Sequence, residues 1–219
     1  MILKAQNIIK EYKRGGNLFR AVDDVSLEIR EGEFVCIAGR SGSGKSTLLN
    51  ILAGLLTPDS GTVFFDGKSY EAFGDKERSF LRNTKLGYIM QGQSVLPNLT
   101  VLQNILLPFT FFQRECSQET ALAMLERTGL LPLATQYPSS LSGGELRRVS
   151  IVRALLSSPH LIIADEPTDD LDEETTQRIM ELFVSAAKEG AAILMVTHDR
   201  NTIRYAGRLL TMQAGKLVN

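Results

Sequence analysis

The sequence predicts an α/β fold: a mostly parallel sheet, an N-terminal antiparallel β subdomain and an inserted α-helical subdomain. Three observations predict it. The first thirty residues alternate apolar and polar side chains around a glycine turn, as half-buried antiparallel strands do. The second half alternates short apolar runs with longer amphipathic ones, the pattern of strands covered by helices on both faces. Between these halves lies a long stretch with helical spacing alone.

Each element can be justified in chain order. "LKAQNIIKEY" and "RAVDDVSLEI" place apolar side chains at alternate positions, and "KRGGN" separates them as a turn. "EGEFVCIAG" is a turn and an apolar strand that runs straight into a glycine-rich loop. "KSTLLNILAGLL" has helical spacing and stops at "TPDSG", "GTVFFDG" returns as a strand, and "LGYIM" (86–90) is a short buried strand. From about Thr100 to Tyr137 the spacing is helical in "TVLQNILL" and "SQETALAMLERTGLL", and "ELRRVSIVRALL" follows as another helix. Strand "LIIAD", helix "DEETTQRIMELFVSAAKEG", strand "AAILMVT", a short helix and the hairpin "GRLLTMQAGKLV" complete the chain. Residues from about 88 to 157 thus read as a helical subdomain inserted between two sheet strands. With no Pro/Gly/Ser-rich linker and no internal repeat, residues 1–219 read as a single domain.

Composition narrows the function classes. The 219 residues are 43% hydrophobic with a net charge of −1, so a core is affordable and no general basic field draws in nucleic acid. Cys36 and Cys116 make no metal or redox spacing, and each reads as a buried, reduced thiol. Charges interrupt the apolar residues of "MILKAQNIIKEYKR", which is therefore no signal peptide. Leu86 to Gln113 carries no charge and has the length to cross a bilayer, but Gln91, Asn98, Gln103, Asn104, Pro97 and Pro108 would be costly in lipid. It reads as a strand, a loop and a helix of a soluble protein.

Three motifs carry chemistry. "GRSGSGKS", Gly39 to Ser46, fits G-x-x-x-x-G-K-[ST] in full, between an apolar strand and a helix, which makes the fold a P-loop NTPase core. Successive backbone N–H groups turn inward around phosphate oxygens, Lys45 reaches the β- and γ-phosphates, and the Ser46 hydroxyl ligates Mg²⁺. The expected nucleotide cradle is Gly39, Arg40, Ser41, Gly42, Ser43, Gly44, Lys45, Ser46 and Thr47. In "LIIADE" an apolar strand ends at Asp165, placed to hold the Mg²⁺ shell, and Glu166 follows as a general base for water, with Pro167 stopping the strand. In "LSGGELRRVSIVRALL" (141–156), Ser142, Gly143 and Gly144 open a helix in the manner of a second anion site.

Together these motifs resemble the nucleotide-binding subunits of ATP-binding-cassette (ABC) transporters, over essentially the whole chain. The resemblance explains two anion sites in one chain: in the family, "LSGGE" caps the γ-phosphate of ATP on the phosphate loop of a second subunit, in a head-to-tail dimer. It also implies that Gln91 contacts Mg²⁺ and the attacking water, that His198 in "VTHD" holds the γ-phosphate, and that Leu171–Asp172 crosses the dimer interface. Tyr12 stands where the family stacks an aromatic on adenine, with Phe19 as a substitute. Departures are Glu145 for the frequent Gln, Arg147 where a Gln usually precedes Arg148, and Asp169 and Asp170 in place of small residues or Asn.

The block "LPNLTVLQNILLP" and "ADEPTDDLD" most resemble the subgroup serving lipoprotein release, macrolide or peptide export, haem efflux and cell division. That implies an ATPase, using ATP and Mg²⁺, paired with a second copy or a paralogue. It implies also a separately encoded integral membrane permease, no nucleic acid, and a cytoplasmic place on the inner face of the cell membrane. The segment Leu96–Phe112, with Phe109, Phe111 and Phe112, either contributes to the groove receiving that permease or fills the helical lobe. Three other readings compete with this one. A DNA- or ribosome-acting cassette would need a coiled-coil insertion or two tandem cassettes, and a small-molecule kinase would leave the signature unexplained. A cassette transmitting force to a periplasmic enzyme without moving a substrate stays open.

Overall fold

The computed structural model describes residues 1–92 and 94–218; Gln93 and Asn219 lie outside the described residues. Strands β1 (Leu3–Arg14) and β2 (Asn17–Ile29) pair antiparallel through the glycine turn, and β1 also pairs antiparallel with β4 (Ser60–Phe65), which pairs with β5 (Lys68–Ser69). The central sheet runs β10-β9-β3-β8-β7-β6. In it β3 (Phe34–Ala38), β8 (Ala192–Val196), β7 (Leu161–Asp165), β6 (Leu86–Ile89) and β9 (Arg208–Gln213) are parallel, and β10 (Lys216–Val218) closes the edge antiparallel to β9. Every residue of β7 and of β8 is buried, which is why both read as unbroken apolar runs rather than as alternations.

Helices cover both faces of the central sheet. α1 (Lys45–Leu52) packs with the antiparallel sheet in one core that includes Leu48, Leu49, Ile29 and Phe65. α5 (Gly143–Leu156) and α6 (Glu173–Lys188) fill the opposite core, with Ile151, Ile179 and Phe183 against Ile162 and Ile193. Between β6 and β7 lie α3 (Val101–Phe111), α4 (Gln118–Arg127) and α5, whose Val101, Ile105, Leu125 and Val149 form a third core. Thr100 caps α3 in a reciprocal pair with Gln103, and Asp172 caps α6 by accepting from the Thr175 N–H at 2.8 Å. α7 (Arg200–Ile203) is a single turn after β8.

One helix has no counterpart in the sequence reading: α2 (Asp75–Thr84), whose only buried residue is Leu81. A helix with one core contact shows no apolar stripe for periodicity to find. Leu86–Gln113 resolves into β6, a loop and α3, and no described helix is long and apolar enough to cross a membrane. α3 carries Pro108 inside it. The phenylalanines around it separate. Phe109 is buried in the helical core, Phe112 packs edge-on against Phe80 at 5.7 Å, and Phe111 is 68% exposed. Cys36 is buried as read, but Cys116 is only partly so, because it sits in the loop before α4 rather than inside a strand.

Candidate functional site

The parallel strands end at one edge of the sheet, and the chemistry-bearing side chains follow them. β3 runs into the glycine loop and α1, β7 ends at Asp165, and β8 ends just before Thr197 and His198. Such an edge is where open α/β sheets bind their ligands. The loop is held tightly. A side-chain Cβ at Gly44 would lie 1.9 Å from the Ala21 carbonyl oxygen, and one at Gly39 would lie 2.4 Å from that of Met212. Gly44 also has φ +104°, a backbone that only glycine adopts readily. The two glycines therefore let the loop lie flat between the antiparallel sheet and β9.

Around that loop opens a cleft of about 700 Å³. Tyr12, Phe19, Gly39, Arg40, Ser41, Gly42, Gly44, Lys45, Ser46, Thr47, Gln91, Asp165, Glu166 and His198 all line it, so it gathers most of the residues predicted for a nucleotide site. Ser43 does not line it; its hydroxyl is buried inside the loop with no hydrogen-bond partner. Lys45 is almost fully buried, and its ammonium donates to the carbonyls of Gly39 at 2.8 Å and Arg40 at 2.9 Å. Tyr12 and Phe19 face each other across the β1–β2 register with ring centroids 5.9 Å apart, both partly exposed at the rim. The sequence treated them as alternatives; the hairpin presents them together.

The far wall holds the acids. Burial raises the Asp165 carboxyl above its usual range, and the Ser46 hydroxyl bonded to it works in the opposite direction. Glu166 follows with φ +48°, a conformation uncommon for a side-chain-bearing residue, so the chain turns sharply where β7 ends. The Glu166 Oε1 lies 2.9 Å from His198 Nδ1, and its Oε2 accepts the His198 backbone N–H at 3.3 Å. This contact follows from topology: β7 and β8 are parallel neighbours with Asp165 beside Val196, so the residues after them meet. The hydrogen bond to Glu166, then its charge, raises the pKa of His198. Ser46, Asp165 and Gln91 offer the oxygen donors that a hard divalent cation such as Mg²⁺ takes.

Ser142, Gly143 and Gly144 are not in this cleft. They open α5, where Ser142 Oγ accepts from the Glu145 N–H at 3.3 Å and the Ser142 N–H donates to Glu145 Oε2 at 2.7 Å. That is a reciprocal capping box, and it explains Glu145 locally. Gly144 is packed on the loop after β7, its Cβ position 2.9 Å from the Asp170 carbonyl oxygen, while the Cβ position of Gly143 meets nothing within 4 Å. One face of the helix start is thus seated and the other open.

Two neighbours of the site escaped the sequence reading as site residues. Asp169 lines the cleft, and its carboxylate, with those of Glu166 and the ring of His198, offers ligand atoms within 4.8 Å of one another. Arg147 is 6% exposed and donates to the Met90 carbonyl at 2.8 Å, directly before Gln91. The available signal was an arginine close to the apolar Leu146, Val149 and Ile151 of the same helix, a position that demands a partner once buried.

The family model described as "ABC transporter" matches residues 22–169. The lipoprotein-releasing system ATP-binding protein LolD of Aquifex aeolicus is 42% identical over 99% of this chain and 96% of its own. The protein of the same name from Pseudomonas syringae pv. tomato is 41% identical over 99% and 97%. Among solved structures, a dimeric ATP-binding cassette in a post-hydrolysis state with ADP and Pi superposes with a TM-score of 0.93 at 38% identity, covering all of this chain and 97% of the other. A second dimeric structure, of a bacterial ABC transporter cassette, gives 0.94 at 38% identity with the same coverage. With its glycine loop, its paired acids and the opened helix of "LSGGE" set on one such scaffold, the chain belongs to the ABC transporter family, as an ATP-hydrolysing, ATP-binding subunit.

Proposed function

We propose that this cassette closes head to tail on a second cassette, a copy or a paralogue, and that the ATP cycle of the pair drives a separately encoded membrane permease. The observation that carries this is the position of Ser142, Gly143 and Gly144. They form an anion-binding helix start that lies outside the chain's own phosphate cleft and has an open face at Gly143. A second chain supplies the triphosphate that this helix start lacks. The names of the LolD relatives support lipoprotein release as the work of the assembly, and in this reading the cassette sits on the inner face of the cell membrane through its permease.

Within one cleft this reading divides the roles. Tyr12, with Phe19 beside it, stacks on the base. The loop Gly39–Thr47 takes the phosphates, and Lys45 exchanges the Gly39 and Arg40 carbonyls for phosphate oxygens. Ser46, Asp165 and Gln91 would hold Mg²⁺, which when bound neutralises charge on the β- and γ-oxygens. Glu166 accepts the proton of the attacking water, and His198, bonded to it, holds the γ-phosphate. Ser142 and Gly144 complete the partner's site.

The test combines assembly and membrane attachment. Glu166→Gln with Mg-ATP is expected to run as a dimer on gel filtration, and Glu166→Gln combined with Ser142→Arg as a monomer that still binds ATP. The wild-type chain extracted in detergent is expected to copurify with an integral membrane subunit. A dimer that survives Ser142→Arg overturns the head-to-tail reading, and a chain that recovers no membrane subunit overturns the permease.

A further inference from the structure

Asp169 stands where the family pattern has a small residue or Asn, and no role in the nucleotide site accounts for it. It belongs to the loop after β7, and its backbone N–H donates to the Glu166 carbonyl at 3.3 Å. That turn folds the loop back on itself, so both carboxylates line the cleft. His198 arrives from the neighbouring strand β8, its Nδ1 2.9 Å from Glu166 Oε1. One donor atom from each of the three side chains lies within 4.8 Å of the other two. Among the described residues, no other three His, Cys, Asp or Glu side chains converge so closely.

Geometry and donor type agree on the ion. A tetrahedral Zn²⁺ bonds nitrogen and carboxylate oxygen at about 2.0–2.2 Å, which sets its donors about 3.4 Å apart. The Glu166–His198 pair is already inside that spacing. Asp169 and His198 have room to close the remainder, since Asp169 is half-buried and the His198 side chain is 70% exposed. Glu166 is the anchored member: its side chain is only 10% exposed, and its Oε2 accepts the His198 backbone N–H. The group is therefore no loose patch of surface acids, but an imidazole and a free-swinging carboxylate built around a buried one. One nitrogen and two oxygen donors, with a fourth position left for water, suit a borderline ion such as Zn²⁺. Mg²⁺ takes oxygen donors and gives up its waters reluctantly, so it belongs with Ser46, Asp165 and Gln91 instead.

We propose that Glu166, Asp169 and His198 form a second divalent-cation site, for Zn²⁺ or an ion of the same class, filled when the cleft holds no nucleotide. The ion takes the place of the proton shared between Glu166 and His198, which passes to solvent, and the Asp169 carboxylate supplies the third bond. Binding rests on the side-chain geometry alone. Its consequence rests on the reading of Glu166 as the base and His198 as the holder of the γ-phosphate: with both on the metal, neither serves hydrolysis, and the zinc-bound cassette is held inactive.

Calorimetry with Zn²⁺ alone on the nucleotide-free full chain tests the site. One ion per chain is expected. Asp169→Ala and His198→Ala are each expected to weaken it more than about tenfold, the least that losing even an outer-shell partner of a metal usually costs. Should Asp169→Ala fail to fold, Asp169→Asn, which keeps its shape, carries the same expectation. His160 and the partly buried Cys116 are the other accessible zinc donors, so His160→Gln and Cys116→Ser are the controls, expected to bind as the wild type does. A wild-type chain that takes up no zinc, or zinc held equally well without Asp169 or His198, overturns the site. Binding lost in a control variant instead puts the ion elsewhere and overturns it too. The consequence is read separately, as Mg-ATP hydrolysis at buffered free Zn²⁺, each chain relative to its own zinc-free rate. Asp169→Ala is expected to need about tenfold more zinc than the wild type for half inhibition. Zinc held at this site with hydrolysis undiminished would uphold the site and remove the roles given to Glu166 and His198.

Discussion

At the residue scale, the Glu166–His198 contact concentrates the chemistry. Glu166→Gln keeps the hydrogen-bonding reach but cannot accept a proton, so turnover is expected to fall about a hundredfold or more with ATP binding retained. Near wild-type hydrolysis at saturating Mg-ATP would remove Glu166 as the base. His198 gives an independent check. Its pKa is raised, first by the Glu166 hydrogen bond, so the pair's contribution is fully present below the ordinary histidine range and is lost as pH rises through the raised value. A histidine NMR titration should show His198 above that range, and Glu166→Gln should bring it back down; a His198 that titrates identically in both proteins contradicts the contact. Cys36 lies on the same strand that feeds the phosphate loop, and burial pushes its thiol up to about 12, so it is expected to resist alkylation until the protein unfolds.

At the element scale, α5 depends on how its first turn is seated. Gly144 has the Asp170 carbonyl 2.9 Å from its Cβ position, whereas Gly143 faces open space. Gly144→Ala is therefore expected to shift the helix start and cost about 1–3 kcal/mol, while Gly143→Ala costs the folded monomer nothing beyond about 0.5 kcal/mol. Urea midpoints of the two variants check the contrast; equal midpoints would mean that the loop after β7 gives way freely. α6 depends instead on its apolar face, where Phe183 is wholly buried against the sheet. Phe183→Ala is expected to cost about 3–5 kcal/mol. The acid-rich end of α6 tolerates its charges because Asp172, Glu173 and Glu174 sit at the positive end of the helix.

At the scale of the whole molecule, the two half-sites make a prediction about mixtures. Ser142→Arg and Lys45→Ala damage opposite halves of a composite site, so a mixed pair places both lesions in one site and leaves the other intact. With Glu166→Gln in both chains, the mixture is expected to trap about one ATP per mixed dimer after gel filtration, while either variant alone forms no ATP-bound dimer. Nucleotide retained by the Ser142→Arg chain alone as a dimer would show that "LSGGE" serves only as a capped helix, which its bond to Glu145 already makes it.

The sequence by itself determined whatever a short stretch of chain carries: the buried strands β7 and β8, whose runs are apolar throughout, the glycine loop with Lys45, and the capped start of α5. It determined the family for the same reason, since those motifs are contiguous. Only the tertiary structure decided what depends on juxtaposition. Parallel pairing of β7 with β8 put His198 on Glu166, the β1–β2 register set Tyr12 beside Phe19, and the packing of α5 set Arg147 against the Met90 carbonyl. α2 was illegible because one buried leucine makes no periodicity. Arg147 was legible only as a departure from the family pattern, because its partner, the Met90 carbonyl, lies 57 residues away and no local pattern encodes such a distance.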